Sequence, residues 1–140
     1  MKGQSSAEML ILVGAILIAV ASMLYLGTVG NESAVVMRAA RDGAENAIAA
    51  IDVEYGCSIY IEELGFDAGT ITIYVVVRDA PPDNITWDNF RDNIIEENIR
   101  EGALKHIQNV VGGSFPVTAE PVKTAYYTYD VTVEVRKVTK

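Results

Sequence analysis

Residues 1–30, MKGQSSAEMLILVGAILIAVASMLYLGTVG, decide the fold. From Met9 to Val29 there is no charged residue over 21 positions. A helix of that length spans about 31 Å at roughly 1.5 Å per residue, which matches a bilayer hydrocarbon core of about 30 Å. Core helices of soluble proteins rarely stay apolar on every face for so long. The stretch therefore predicts a membrane-competent helix, with one acid, Glu8, directly before it.

The composition narrows the classes of function. The chain has 140 residues, enough for one domain of ordinary size, and carries 19 acidic against 11 basic residues. This balance argues against nucleic-acid binding through a basic surface. The single cysteine, Cys57, excludes an internal disulfide and a Cys-rich zinc site, and the single histidine, His106, excludes a His-based metal cage within one chain. No cofactor, metal site or enzymatic activity is expected.

Three interpretations of the first segment compete. The first is a permanent single-pass anchor, with Lys2 inside and the acidic body outside. The second is a secretory signal peptide cut after the small-residue run at 19–21. Two features oppose the second: Glu8 cancels the charge of Lys2, and the apolar run continues past that cut to Leu26.

The third interpretation accounts for the polar residues at the start, KGQSSAEMLILVG. These residues resemble the class III signal peptide of archaeal type IV pilins and pilin-like proteins. The matching positions are Lys2, Gly3 and Gln4, then Ser5, Ser6 and Glu8, followed by the uninterrupted apolar run. The resemblance covers only about the first 30 residues of the sequence. Phe after the cut, usual in bacterial pilins, and the Gly-rich start of archaellins are both missing here.

The resemblance implies a function and a set of partners. A prepilin peptidase would cut between Gly3 and Gln4 on the cytoplasmic side. The membrane-inserted precursor would then join an extracellular, pilus-like filament used for surface attachment. Assembly would need the host's ATPase and membrane platform protein, since the chain carries no nucleotide-binding motif of its own. The competing function from another class is a membrane-anchored extracytoplasmic binding or adaptor module that never polymerises.

In this family a glutamate at the position of Glu8 pairs with the new N-terminal amine, here that of Gln4. An unpaired carboxylate inside a helix bundle is strongly penalised, so the pair would select the axial register of subunits. The simpler interpretation is an exposed acid near a helix N-terminus, which the helix dipole favours. Small residues that would let helices approach closely are Gly14, Ala15, Ala19, Ala21 and Ser22.

The rest of the chain predicts an α+β fold. A long N-terminal hydrophobic helix is followed by a small, mainly antiparallel β-sheet domain with an additional helix packed on it. The helix continues to about Val53 as an alanine-rich stripe, and Gly27 to Asn31 mark a place where it can bend. Strands are predicted over 57–64 and 69–79, joined by a connection at 65–69, and over 124–137. A helix capped by Thr86 is predicted over 87–111, with Gly102 as a possible division.

These predictions divide the chain into three parts. Residues 1–3 form the leader, 4–54 the long helix with its apolar part at 9–29, and 55–140 the extracytoplasmic domain. Two sequons, at Asn84 and Asn31, are candidate N-glycosylation sites that would lie outside the cell. Cys57 is expected to be a small buried residue or, as an odd extracellular cysteine, a link between two chains. His106 is expected to be a partly exposed surface residue.

Overall fold

The computed structural model describes residues 2–79, 84–112 and 119–138, with side chains described in these ranges except at 2–5 and 25–30. The chain forms two compact units, Met1–Ala34 and Val35–Lys140. The described residues have the predicted α+β fold. It consists of an N-terminal apolar helix, a small mixed sheet of four strands, and further helices packed on that sheet.

Helix α1, Lys2–Tyr55, contributes to both units. Its helical backbone continues through Gly27, Gly30 and Asn31, where the sequence predicted a weak point. A glycine inside a helix costs only about 1 kcal/mol relative to alanine, and the strong helix formers on both sides outweigh that cost. Within the second unit, the predicted alanine-rich stripe lies in the core. Its buried members are Val36, Ala40, Ala44, Ile48 and Ile51.

Strands β1, Ile59–Asp67, and β2, Thr70–Val77, form a hairpin with a two-residue turn. The prediction of a connection at 65–69 was wrong, because Phe66 and Asp67 still pair with β2. Only Ala68 and Gly69 turn the chain, and both have positive φ, at 48° and 96°. Two residues of this conformation match the right-handed twist of the flanking strands, so the strands extend up to the turn.

The sheet has the strand order β1-β2-β4-β3, where β3 is Val122–Lys123 and β4 is Thr128–Lys137. The outer pairs, β1–β2 and β3–β4, are antiparallel, and the first of them is the predicted hairpin. The central pair, β2–β4, is parallel along eight residue pairs, so the sheet is mixed. Parallel neighbours need a long crossover connection, usually helical, and the helical region after β2 supplies it.

The helical region between β2 and β4 has three parts. Helix α2, Trp87–Asn89, is followed by a π-helical segment, Phe90–Glu96, and by helix α3, Glu97–Gly112. The predicted N-cap is confirmed, because the Thr86 hydroxyl accepts from the Asn89 amide at 3.3 Å. The expected division at Gly102 was wrong, since α3 is continuous there. The departure from α-helix comes earlier, in the π-helical segment.

Gly102 instead marks the closest approach of two helices. A Cβ atom added at Gly102 would lie 2.8 Å from the carbonyl oxygen of Gly43 in α1, and 3.2 Å from the Cβ of Ala47. A Cβ at Gly43 would clash in turn with the backbone of Gly102. Two backbones at this distance leave no room for a side chain, so both positions require glycine for packing.

We expect Gly43→Ala to lower the free energy of unfolding of the second unit by about 1–3 kcal/mol, because the new methyl group forces the helices apart. Urea unfolding of the full chain in detergent, followed by the fluorescence of Trp87, measures this change. Gly14→Ala is the matched control in the same helix, since a Cβ there has nothing within 4 Å. Equal unfolding midpoints for the two variants would contradict the packing role of Gly43.

Candidate functional site: an exposed apolar helix with one carboxylate

The segment Ser6–Leu24 of α1 exposes nearly all its apolar side chains. Its mean hydropathy over 19 residues is 2.4, and none of it is buried. Leu10 is 74% exposed and Met23 is 73% exposed. Apolar patches of this size on a protein surface mark an interaction with a membrane or another protein. The helix is long and apolar enough to be a membrane anchor or a signal sequence.

The helix segment has one half with small side chains and one half with large ones. At about 100° per residue, all five predicted packing positions fall on one half of the helix. They are Gly14, Ala15, Ala19, Ala21 and Ser22. Ile11 and Ile18 share that half. From Met9 on, only large apolar residues occupy the opposite half, among them Met9, Val13, Ile16, Val20 and Leu24. The small half would allow close helix contact.

The polar groups of the small half are Ser22 and Glu8. The Ser22 hydroxyl donates to the carbonyl oxygen of Ile18 at 2.9 Å, which satisfies it within the helix. Glu8 is exposed and lies seven and fourteen residues before Ala15 and Ser22, so the three share one line along the helix. A carboxylate therefore lies at the N-terminal end of the surface best suited to helix packing.

The predicted cleavage residues Lys2, Gly3 and Gln4 lie on the first turn of α1, outside the described side chains. The pairing between Glu8 and the amine of Gln4 thus stays a prediction. Glu8 belongs to the exposed part of the helix in the single chain, and both interpretations of this acid are compatible with that exposure.

The two sequons lie in different surroundings. Asn84 is exposed in a turn just before α2, and Thr86 of the same sequon caps that helix. Asn31 is exposed within α1. Glycosylation acceptors are typical of surface loops, so the position of Asn84 suits modification better than that of Asn31.

His106 connects two helices. Its Nε2 atom lies 3.2 Å from the Asn46 amide nitrogen of α1, and its Nδ1 atom lies 3.0 Å from the carbonyl oxygen of Gly102. A neutral ring with the proton on Nδ1 satisfies both contacts. Half-buried in this position, His106 supports the Gly43–Gly102 contact, a role that its spacing in the sequence did not indicate.

Cys57 is buried, as expected, just before β1. Its Sγ atom lies 3.7 Å from Oδ1 of Asp52. Burial, and then the charge of Asp52, raises the pKa of the Cys57 thiol to about 11. Reactive cysteines have the opposite setting, with a lowered pKa and an exposed sulfur. In the folded chain, Cys57 is therefore poorly placed to form a disulfide with another chain.

Comparisons of the chain with protein-family models, with curated proteins and with solved structures find no match.

We expect alkylation of Cys57 by iodoacetamide to be slow at pH 8 and to rise only above about pH 10, because only the thiolate reacts. Asp52→Asn should lower the thiol pKa and speed alkylation at pH 9 about threefold. Mass spectrometry of the native chain follows the modification. Asp42→Asn removes an exposed carboxylate of the same helix and serves as the control. Alkylation at pH 8 as fast as that of a free thiol would contradict the shielding of Cys57.

Proposed function

We propose that the chain is a structural subunit of an archaeal type IV pilus-like filament. It is made as a membrane-inserted precursor and cut between Gly3 and Gln4. The observation that carries this proposal is the unburied apolar segment Ser6–Leu24, which belongs to a chain whose residues from Val35 on have a hydrophobic core of their own. Such a segment needs a lipid or protein environment. The polar residues before it resemble those at a prepilin cleavage site.

The two halves of the helix suggest how the same segment could be stable both in the membrane and in the filament. In the membrane, large side chains such as Leu17 and Val20 face lipid. In the filament, the small half around Ala15 and Ala19 contacts neighbouring helices. Lipid tails are as apolar as leucine, so burying apolar area does not itself drive helix association in a bilayer. Close packing and polar contacts must set its specificity.

Glu8 supplies the polar contact in this account. Inside a bundle of apolar helices, its carboxylate is stable only when paired. The amine of Gln4, released by cleavage, is the partner that the resemblance implies. The pair would fix how far one subunit is shifted along the next. The second unit, acidic and with its own core, would face water at the filament surface and serve attachment.

The identity of the N-terminal residue in the native protein tests the proposal directly. We expect intact mass to show a chain that begins at Gln4, and Gly3→Val to leave the precursor uncut, because the enlarged side chain blocks the cleavage site. A native chain that begins at Met1 would instead identify a permanent anchor for a binding or adaptor module. One that begins at Ser22 would identify a secreted domain. Either result overturns the filament proposal.

Glu8→Gln tests the pairing of the carboxylate. It removes the charge but keeps the shape, so we expect normal membrane insertion and processing with filament yield reduced about tenfold or more. Sheared filaments counted by electron microscopy and immunoblotting give the yield. Glu54→Gln removes an exposed carboxylate from the same helix and should leave the yield unchanged. Normal filament yield from Glu8→Gln would remove the pairing role.

A further inference from the structure

Strand β4 is fully paired on one side only. It runs parallel to β2 from Asp130 to Lys137, whereas β3 covers only Thr128 and Tyr129 on the other side. Beyond Tyr129, the second side of β4 has no strand neighbour among the described residues. We use the name β4 edge for the side of residues 131–135 that faces away from β2.

The hydrogen bonds of β4 show which residues direct their backbone groups to the β4 edge. The Asp130 amide donates to the carbonyl oxygen of Gly69 in the turn before β2 at 3.1 Å, and the Val138 amide donates to that of Val77 in β2 at 2.9 Å. Backbone groups of a strand alternate between its two sides. The even-numbered residues therefore bond to β2, and the odd-numbered residues direct their N–H and C=O groups to the β4 edge.

The first of these odd-numbered residues is satisfied by side chains. The Val131 carbonyl oxygen accepts from Nε of Arg100 at 3.1 Å, and its amide donates to the Asp130 carboxylate at 2.8 Å. Arg100 and Asp130 also bond to each other at 2.9 Å. For Val133 and Val135, no partner lies on this side within residues 2–79, 84–112 and 119–138. Each leaves one donor and one acceptor available.

An acidic groove lies beside the first part of the β4 edge, up to Val133. Its volume is about 390 Å³. One wall is strand residues 130–133, and the other is formed by Asp92, Glu96, Glu97 and Arg100 of the π-helical segment and α3. The side chains of Val131 and Val133 are buried in the core, so a segment in the groove would meet mainly the β4 backbone and the charged helical wall.

The charge of the groove is strongly negative. Two of its carboxylates, Asp92 and Asp130, are paired with arginines at 2.7 and 2.9 Å, and Glu96 and Glu97 have no ion pair among the described residues. Burial, and then the charge of Asp92, raises the pKa of the Glu96 carboxyl. The charge of Arg91 opposes this shift, and that of Glu134 in β4 adds to it. These acids lie close enough to repel one another, and cations on a bound segment would relieve that repulsion.

Arg136, the basic residue of β4 that follows the β4 edge in sequence, does not neutralise the groove. Arg136 of β4 reaches across β2 to Glu62 of β1, with 3.2 Å between Nη2 and Oε2. Its charge is thus engaged away from the β4 edge. An open strand edge offers backbone hydrogen bonds, and the acidic wall offers sites for cationic side chains.

We propose that the β4 edge binds an extended, basic peptide segment of a partner protein, which adds a strand beside Val133 and Val135. The backbone pairing supplies the extended conformation, and Glu96 and Glu97 select lysine or arginine on the side chains facing the helical wall. This inference depends on the second unit alone, so it stands or falls separately from the proposed filament.

The first test uses a synthetic peptide of alternating lysine and threonine, added to the full chain in detergent micelles. We expect hydrogen exchange at the amides of Val133 and Val135 to slow about tenfold, because the added strand accepts their hydrogen bonds. A peptide of the same charge with N-methylated backbone nitrogens on its pairing side is the control, since it lacks the donors needed for pairing. A glutamate–threonine peptide tests the sign of the charge.

Variants of the chain separate backbone pairing from charge. Val135→Pro removes the amide that faces the β4 edge and leaves the bonds of even-numbered residues to β2 in place, as edge prolines do. We expect it to weaken binding of the labelled lysine–threonine peptide about tenfold, and Val135→Ala to stay within about twofold. Glu96→Gln with Glu97→Gln should weaken binding similarly at low salt and reduce its salt dependence.

Unchanged exchange of Val133 and Val135 on adding the lysine–threonine peptide would overturn the proposal. Equal binding of the N-methylated peptide would also overturn it, because charge attraction alone would then explain binding. Slow hydrogen exchange at the Ile73 amide of β2 verifies that the sheet stays folded in the Val135→Pro variant. If that variant unfolds, the comparison between the two basic peptides on the unmodified chain still decides the question.

Discussion

Helix α1 is one continuous helix with apolar side chains that are exposed in its first part and buried in a protein core in its second part. The remaining structure depends on this difference between the two parts. From Met9 to Leu24 the described side chains are apolar on both halves apart from Ser22, and the size of the residues is the main difference between the halves. From Val35 on, the apolar residues narrow to a stripe that the second unit buries. A helix satisfies its own backbone hydrogen bonds in either setting. Its side chains alone therefore decide which environment each segment requires.

The second unit is organised around the contact between α1 and α3. Glycine at 43 and 102 brings two backbones together, and His106 bonds to both helices beside that contact. With α3 held there, the chain returns to the sheet as a crossover and β4 joins β2 in parallel. The parallel pairing in turn leaves β3 only two residues to cover the far side of β4. The β4 edge, which no strand covers within the described part of the chain, is thus a consequence of the topology, and the acidic wall beside it comes from the same crossover.

The two proposed surfaces would bind their partners through different interactions. In the proposed filament, the apolar helix segment would lie away from water, where close packing and a single ion pair of Glu8 would set specificity. The β4 edge offers backbone hydrogen bonds and negative charge in water, where exposed ion pairs alone contribute little. Association at the edge therefore needs the backbone pairing, with charge selecting among partners. We propose the first surface for contacts between copies of this chain, and the second for contacts with a peptide of another protein.

The sequence by itself determined the local features. The alanine stripe and the alternation in β2 and β4 follow from side-chain periodicity, and the Thr86 cap follows from residue type. Each is found where the sequence predicts it, except that Val76 of β2 is buried as well. Only the tertiary structure decided which strands pair, that Gly102 packs against Gly43 instead of ending a helix, and that Phe66 extends β1 to a two-residue turn. These depend on contacts between residues far apart in the chain, and a local pattern carries no information about its partner. The β4 edge belongs to this second group, because an unpaired backbone group is defined by the neighbour it lacks.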